Sequence, residues 1–221
     1  MPTTRMSHED RHAQLLDVAE ELFTSQGYDK VSVEDLARAA GVTRPLIYQH
    51  HGSKEGLFIA AAKRARDEFE ASRIEAHHES GGDLSTFVLK GGDVLFDLLH
   101  DQPTRWALLF SGAVGESGEL ASQLSALRFS TVHKIATLAG EYAPGLDEEH
   151  LLAFANAISG ISEAFCRWSL SSPEIPRARI LGYYHDFITG AIIAALDRAR
   201  ADGVLGPGDP DPDEVTRRSG G

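Results

Sequence analysis

The chain has 221 residues, 42% of them hydrophobic and 24% charged, a composition that builds a folded core and excludes a globally disordered polypeptide. Its single cysteine, Cys166, excludes an intrachain disulfide framework and a multi-cysteine zinc site and fits a reducing cytoplasm. The formal net charge of -12 argues at first sight against a polyanionic partner, because phosphates attract Lys and Arg.

The distribution of charge is more informative than its total. Residues 1–66 carry 9 Lys/Arg and 9 Asp/Glu, whereas residues 67–221 carry 12 and 24, so the deficit belongs to the C-terminal two thirds and the two regions have different work to do. No apolar run reaches the roughly 20 residues of a membrane helix, and the first residues lack the apolar stretch of a signal peptide. A cytoplasmic protein without a membrane partner is expected.

From His8 to Gln26, Leu15, Ala19, Leu22 and Phe23 recur at helical spacing, Glu20 and Glu21 are assigned to other faces, and Gly27 stops the helix. Ser32 with Asp35 makes a capping-box-like pair that opens a second helix of about two turns, burying Leu36, Ala37 and Ala40 before Gly41. Thr43 as N-cap and Pro45 in the first turn predict a third short helix from about Arg44 to His51. Gly52 ends it, and Ser53 caps a fourth that runs from Lys54 toward His78 with Leu57, Phe58, Ala61, Ala65, Phe69 and Ile74 inside. Gly81-Gly82 break the pattern, and helices are expected at about 83–100, 104–112, 117–140, 147–171 and 177–201. No segment alternates at strand spacing. The expected fold class is all-α: a three-helix helix-turn-helix domain over residues 8–53, a helical bundle over 54–201, and a flexible Gly/Pro/Asp-rich tail over 202–221.

Two short helices joined by Gly41-Val42-Thr43 behind a supporting helix form the helix-turn-helix pattern, whose second short helix enters the major groove of duplex DNA. Ala37 and Ala40 allow the helices to approach, Gly41 turns the chain and Val42 plugs the angle. The groove-facing segment carries Thr43, Arg44, Pro45, Leu46, Tyr48, Gln49 and His50. Arg pairs bidentately with guanine and Gln with adenine, while Leu or Pro touches a thymine methyl; Thr, Tyr, His and Lys suit phosphates, which set register. An ordinary bundle corner also places a glycine between amphipathic helices, yet it does not require cap, turn glycine, proline, Tyr48 and Ser53-Lys54 in one register.

The run VSVEDLARAAGVTRPLIYQHHGSKEGLF, residues 31–58, resembles the DNA-binding signature of the TetR family of transcriptional regulators, and LLDVAEELFTSQGY before it resembles that family's first helix. The likeness is at motif level over about residues 12–60 and architectural beyond. It implies that Ser32 caps the second helix near a phosphate, that Tyr48 touches the DNA backbone, that Lys54 is the lysine opening the fourth helix, and that Arg44, Pro45, Leu46 and Gln49 occupy base-reading positions. His51 departs from the pattern, standing where the family usually has Phe or another apolar residue; it is either a packed neutral histidine or a sign that the third helix sits differently.

The resemblance further implies a ligand-binding and dimerisation domain in the acidic region, so that a small-molecule effector releases a homodimer from a palindromic operator by changing the spacing of its two heads, with the fourth helix as lever. Ala155, Ser159, Ser162, Gly182, Gly190 and Ala194, among Leu151, Ile158, Phe165, Ile180, Phe187 and Ile193, suit an isologous four-helix interface, though such stripes also serve a chain's own core. The ligand-facing candidates are Trp106, Phe110, Phe129, His133 and Trp168, all of types common in plain core.

No catalytic site, cofactor or metal is expected. Gly115-Glu116-Ser117-Gly118-Glu119 has Glu where a nucleophile elbow needs Gly. The neighbours His77-His78 and His50-His51 diverge by about 100° on a helix, and Cys166 reads as a small core residue. The function expected is a ligand-responsive DNA-binding repressor; the alternative is an all-helical protein-binding adaptor that does not read DNA.

Overall fold

A computed structural model describes residues 6–79, 84–110 and 118–206. The chain is all-α, with no strand among the described residues. In chain order the helices are α1 (His8–Gln26), α2 (Val33–Ala40), α3 (Arg44–His51), α4 (Lys54–Glu79), α5 (Leu84–Asp101), α6 (Pro103–Phe110), α7 (Glu119–Tyr142), α8 (Glu148–Ser171) and α9 (Arg177–Ala201), with a short 3-10 turn at Tyr28–Lys30. Compactness divides the chain into Met1–Glu68 with Gln102–Ser125, and Phe69–Asp101 with Ala126–Gly221.

The first unit is built on the inner face of α1. Leu15, Leu16, Ala19 and Phe23 are buried, as are Leu36, Ile47, Leu57, Phe58 and Ala61, and the rings of Phe23, Tyr28 and Phe58 meet at centroid distances of 5.2 to 5.5 Å. Glu20 corrects the sequence expectation. It is only 5% exposed, and its carboxylate lies 2.7 Å from Arg64 on α4 and 3.1 Å from Arg105 on α6. Arg105 reaches on to Glu68 at 2.7 Å and Arg64 to Asp17 at 2.8 Å. Two guanidiniums thus replace the water that a buried carboxylate loses. Thr24 adds a tie by donating to the Thr104 carbonyl at 3.0 Å.

In the second unit Ile180, Tyr184, Ile188, Ile192 and Leu196 recur every four residues and form the buried stripe of α9. Gly92 of α5 lets Tyr184 in: a Cβ there would stand 2.3 Å from its ring. The Tyr184 hydroxyl hydrogen-bonds with Ser162 at 3.1 Å. Gly92→Val is therefore expected to destabilise the chain by about 2 kcal/mol through overpacking, read as a lower urea midpoint, whereas Gly91→Val, with open space at that position, should cost less.

The start of α8 is tied to the end of α9. Asp147 caps α8 by accepting from the His150 amide at 3.0 Å, the His150 ring contacts Asp147 at 2.7 Å and Asp202 at 3.3 Å, and Asp202 also pairs with Arg198 at 2.7 Å. Hydrogen bonding to Asp147, then to Asp202, raises the His150 pKa. A raised folded value makes this clamp's contribution complete below the unfolded histidine value of about 6.5 and lost as pH rises through the folded value. The stability difference between wild type and His150→Gln should accordingly be larger near about pH 6 than near about pH 8.5; urea melts at the two pH values check it.

On α7 the buried stripe is Val132, Ala136 and Ala139, with Val132 and Ala136 packed together with Ala155 of α8. Phe129 and His133 lie beside that stripe rather than in it: Phe129 is 66% exposed and His133 is exposed. Their rings lie 4.2 Å apart and the His133 Nδ1 approaches the Phe129 carbonyl at 3.1 Å. Helical phase turns these two ligand-facing candidates to the outer side of α7. Trp106 is buried and stacked with Phe110 in the first unit; Trp168 is half-buried against Phe165 and Tyr183 in the second.

The chain stays packed just beyond α9, where Leu205 is buried and the Val204 amide donates to the Ala199 carbonyl. The rest of the expected tail, the Gly81-Gly82 break, most of the Gly115–Glu119 segment and the side chains of Ile74, His77 and His78 lie outside the described residues.

Candidate nucleic-acid interface

The candidate interface is assembled from α2, the turn after it, α3 and the first turn of α4. Ser32 and Asp35 form a reciprocal capping box: the Asp35 amide donates to the Ser32 hydroxyl at 3.2 Å and the Ser32 amide to the Asp35 carboxylate at 3.1 Å. Those hydrogen bonds, the one from the Ser32 hydroxyl first, hold the Asp35 carboxyl below its ordinary pKa. Gly41 adopts the left-handed conformation at φ 64°, which costs other residues more, and the Val42 amide donates back to the Ala37 carbonyl at 2.9 Å. Thr43 then starts α3 with Pro45 in its first turn and no side-chain cap bond, leaving an exposed hydroxyl.

Helical phase decides what α3 presents. Ile47 is its buried anchor. At about 100° per residue, Pro45 and Gln49 fall opposite it, flanked by Leu46 and Tyr48. Pro45 and Gln49 are exposed, Leu46 is half-buried, and Tyr48 is 50% exposed. Arg44 is exposed and meets Glu34 at 3.5 Å, a surface pair worth about 0–1 kcal/mol that a stronger partner can displace.

Lys54 points partly inward. Its ammonium donates to the carbonyls of Tyr28 and Val31, each at 3.1 Å, and sits 4.0 Å from the centre of the Tyr28 ring, leaving one N–H for another acceptor. The Tyr28 hydroxyl donates to Glu55 at 2.8 Å; burial first, then this carboxylate, raises the Tyr28 pKa. Tyr28 was not singled out as a site residue in the sequence, although the Gly27-Tyr28 step after α1 is the place where an aromatic can reach under α4.

His50 and His51 turn toward α1. His50 stacks on His8 with centroids 4.4 Å apart and His51 on His12 at 4.8 Å. His51 is the packed neutral histidine of the two sequence alternatives: burial, then His12 and His50, push its pKa down to about 4. His50 is likewise lowered, chiefly by burial, and its ring faces α1 rather than the outer side of α3. This corrects its grouping with the outward phosphate-contacting residues.

Residues 15–61, from the middle of α1 into α4, match the family described as bacterial regulatory proteins, tetR family. Over those residues the chain carries a DNA-binding domain of the tetR-family type. The HTH-type transcriptional regulator EthR of Mycobacterium tuberculosis is 27% identical over 186 residues, covering 81% of this chain and 85% of the relative. The HTH-type transcriptional activator FasR of Mycolicibacterium smegmatis is 27% identical over 120 residues, a match that spans 54% of this chain and 54%, about half, of FasR. A solved TetR-family structure from Syntrophomonas wolfei superposes with a TM-score of 0.74 over 84% of this chain and 97% of its own at 15% identity. One from Streptomyces coelicolor gives 0.64 over 97% and 90% at 24% identity. These two likenesses are of fold. Among the described residues no helix is long and apolar enough to cross a membrane.

Proposed function

We propose that this regulator is a cytoplasmic homodimer that reads a palindromic duplex operator with residues 8–53 of each copy, carries its ligand-binding and dimerisation functions in residues 54–201, and acts as a repressor released by a small-molecule effector rather than as an enzyme. The observation that carries this reading is α3 itself, anchored by Ile47 and presenting Pro45, Leu46, Tyr48 and Gln49 away from the core. In this reading Arg44, Pro45, Leu46 and Gln49 touch base edges, while Ser32, Thr43, Tyr48 and the remaining N–H of Lys54 hold phosphates.

The dimer face proposed is the outer side of α8 and α9. Ala155, Ile158, Ser159 and Ile180 are buried within the chain, so they serve its own core. Gly182, Gly190 and Ala194 are exposed, and Phe187 among them is 60% exposed. Ala153, Ala157 and Ala164 of α8 are exposed too. Small residues around an aromatic suit a self-complementary helix pair. Trp106, Phe110 and Trp168 remain effector-facing candidates, and an effector releases DNA only by binding the non-reading spacing more tightly.

Selection of duplexes from a random library by the full chain tests the proposal. The expected product is a palindrome with half-sites about 10 bp apart, bound with an affinity that falls steeply with salt. Flat, negligible binding with no enriched sequence, and a protein partner recovered instead, would establish the adaptor alternative.

A further inference from the structure

The histidine stack has a position and a chemistry that reading DNA does not require. α3 is only eight residues long and has one fully buried side chain, Ile47, and two ring stacks join it to α1, His8 on His50 and His12 on His51. The two α3 rings are also neighbours, with centroids 6.1 Å apart. The buried His50 Nδ1 and His51 Nε2 have no hydrogen-bond partner. Such nitrogens can stay neutral in place, but a proton on either would put a cation in a site with nothing to accept from it.

The groups facing the two imidazoles carry no compensating charge. From α1 they are His8, Arg11 and His12, and from α3 each other. On the α4 side the His51 carbonyl meets Ser53 and Gly56, both uncharged. Among the described residues no carboxylate acts on either ring. Each neighbour that acts on the two α3 rings by charge does so as a cation, so a proton on His50 or His51 is opposed rather than compensated.

We propose that His50 and His51, stacked on His8 and His12, form a pH-sensitive latch that holds α3 in its reading position while the two α3 imidazoles are neutral and releases it on acidification. The consequence for DNA rests on the reading of α3 proposed above. The sign follows from linkage: a histidine whose folded pKa is depressed contributes in full above the unfolded value of about 6.5 and loses that contribution progressively as pH falls toward the folded one. For His51, whose folded value is about 4, acidification to about pH 5.5 shifts docking of α3 by roughly tenfold. DNA binding in general responds with the opposite sign, since protonated histidines attract phosphate.

Two measurements on the full chain separate the latch from the DNA reading. Hydrogen exchange of α3 peptides, corrected for intrinsic rate, is expected to show protection falling about tenfold between about pH 7.5 and 5.5. In His51→Phe the fall should be no more than about twofold, and in His12→Leu, which removes a cationic neighbour but leaves His51 buried, it should be smaller than in wild type without being abolished, while peptides from the middle of α1 stay unchanged in all three proteins. On the duplex selected at about pH 7.5, the affinity of wild type relative to His51→Phe should fall about three- to tenfold over the same interval. Equal pH dependence of α3 protection in wild type and both variants overturns the latch, whatever the DNA result. A pH-dependent α3 with no duplex recovered supports the latch and overturns the DNA reading on which its regulatory consequence rests.

Discussion

Replacing Glu20 with alanine is expected to lower the stability of the chain by about 3 kcal/mol, the low end of the cost of removing one partner from a buried ionic cluster. The carboxylate is buried and serves Arg64 and Arg105 together. Without it the two guanidiniums keep Asp17, the Ala13 carbonyl and Glu68, and their side chains are about one fifth exposed, 22% and 19%, so water replaces the lost partner poorly. Arg105→Met should cost less, because Arg64 still holds the Glu20 carboxylate at 2.7 Å. Glu20→Met with Arg105→Met should recover part of the loss of Glu20→Met alone, as an apolar replacement of a buried pair often does. Urea melts with unchanged slope measure all of these. A Glu20→Ala protein within about 0.5 kcal/mol of wild type, the range of ordinary surface changes, would show that water reaches the cluster after all.

Why Glu20 escapes a sequence reading is instructive about what periodicity contains. Leu16, Glu20 and Phe23 share a helical face, and all are buried. A charge on that face looks like a fault in the pattern until its counterions are known, and these lie 44 and 85 residues along the chain. Local signals were legible in proportion to how local their physics is. The Ser32/Asp35 box, the turn at Gly41 and the proline at the start of α3 concern atoms a few residues apart, and the helices they bound lie where expected. Residue type alone pointed to Phe129 and His133 as pocket lining, whereas exposure depends on which stripe of α7 meets α8. The same holds for His50: its place on α3 was legible, but its partner His8 is on another helix. Lys54 is intermediate, its position readable as the opening of α4 and its direction set by the Tyr28 and Val31 carbonyls.

On the selected duplex, Gln49→Ala is expected to cost about 1–3 kcal/mol per half-site and to relax the preference at one base pair in each, because a bidentate partner of adenine is lost. Arg44→Ala should behave alike at a guanine, its Glu34 pair being too weak to compete. Tyr48→Phe should instead weaken every sequence equally and leave the salt slope unchanged, because a neutral hydroxyl on a phosphate displaces no counterion. Lys54 distinguishes two mechanisms. If its free N–H meets a phosphate, Lys54→Met lowers affinity and salt slope together, and Lys54→Arg restores the slope. If its work is to hold the Tyr28–Val31 segment, and with it Ser32 at the start of α2, Lys54→Met lowers affinity with the salt slope unchanged and also lowers the melting midpoint of the free protein. Two carbonyl acceptors and an aromatic ring already occupy most of the ammonium, so the expected slope change for Lys54 is smaller than one per half-site.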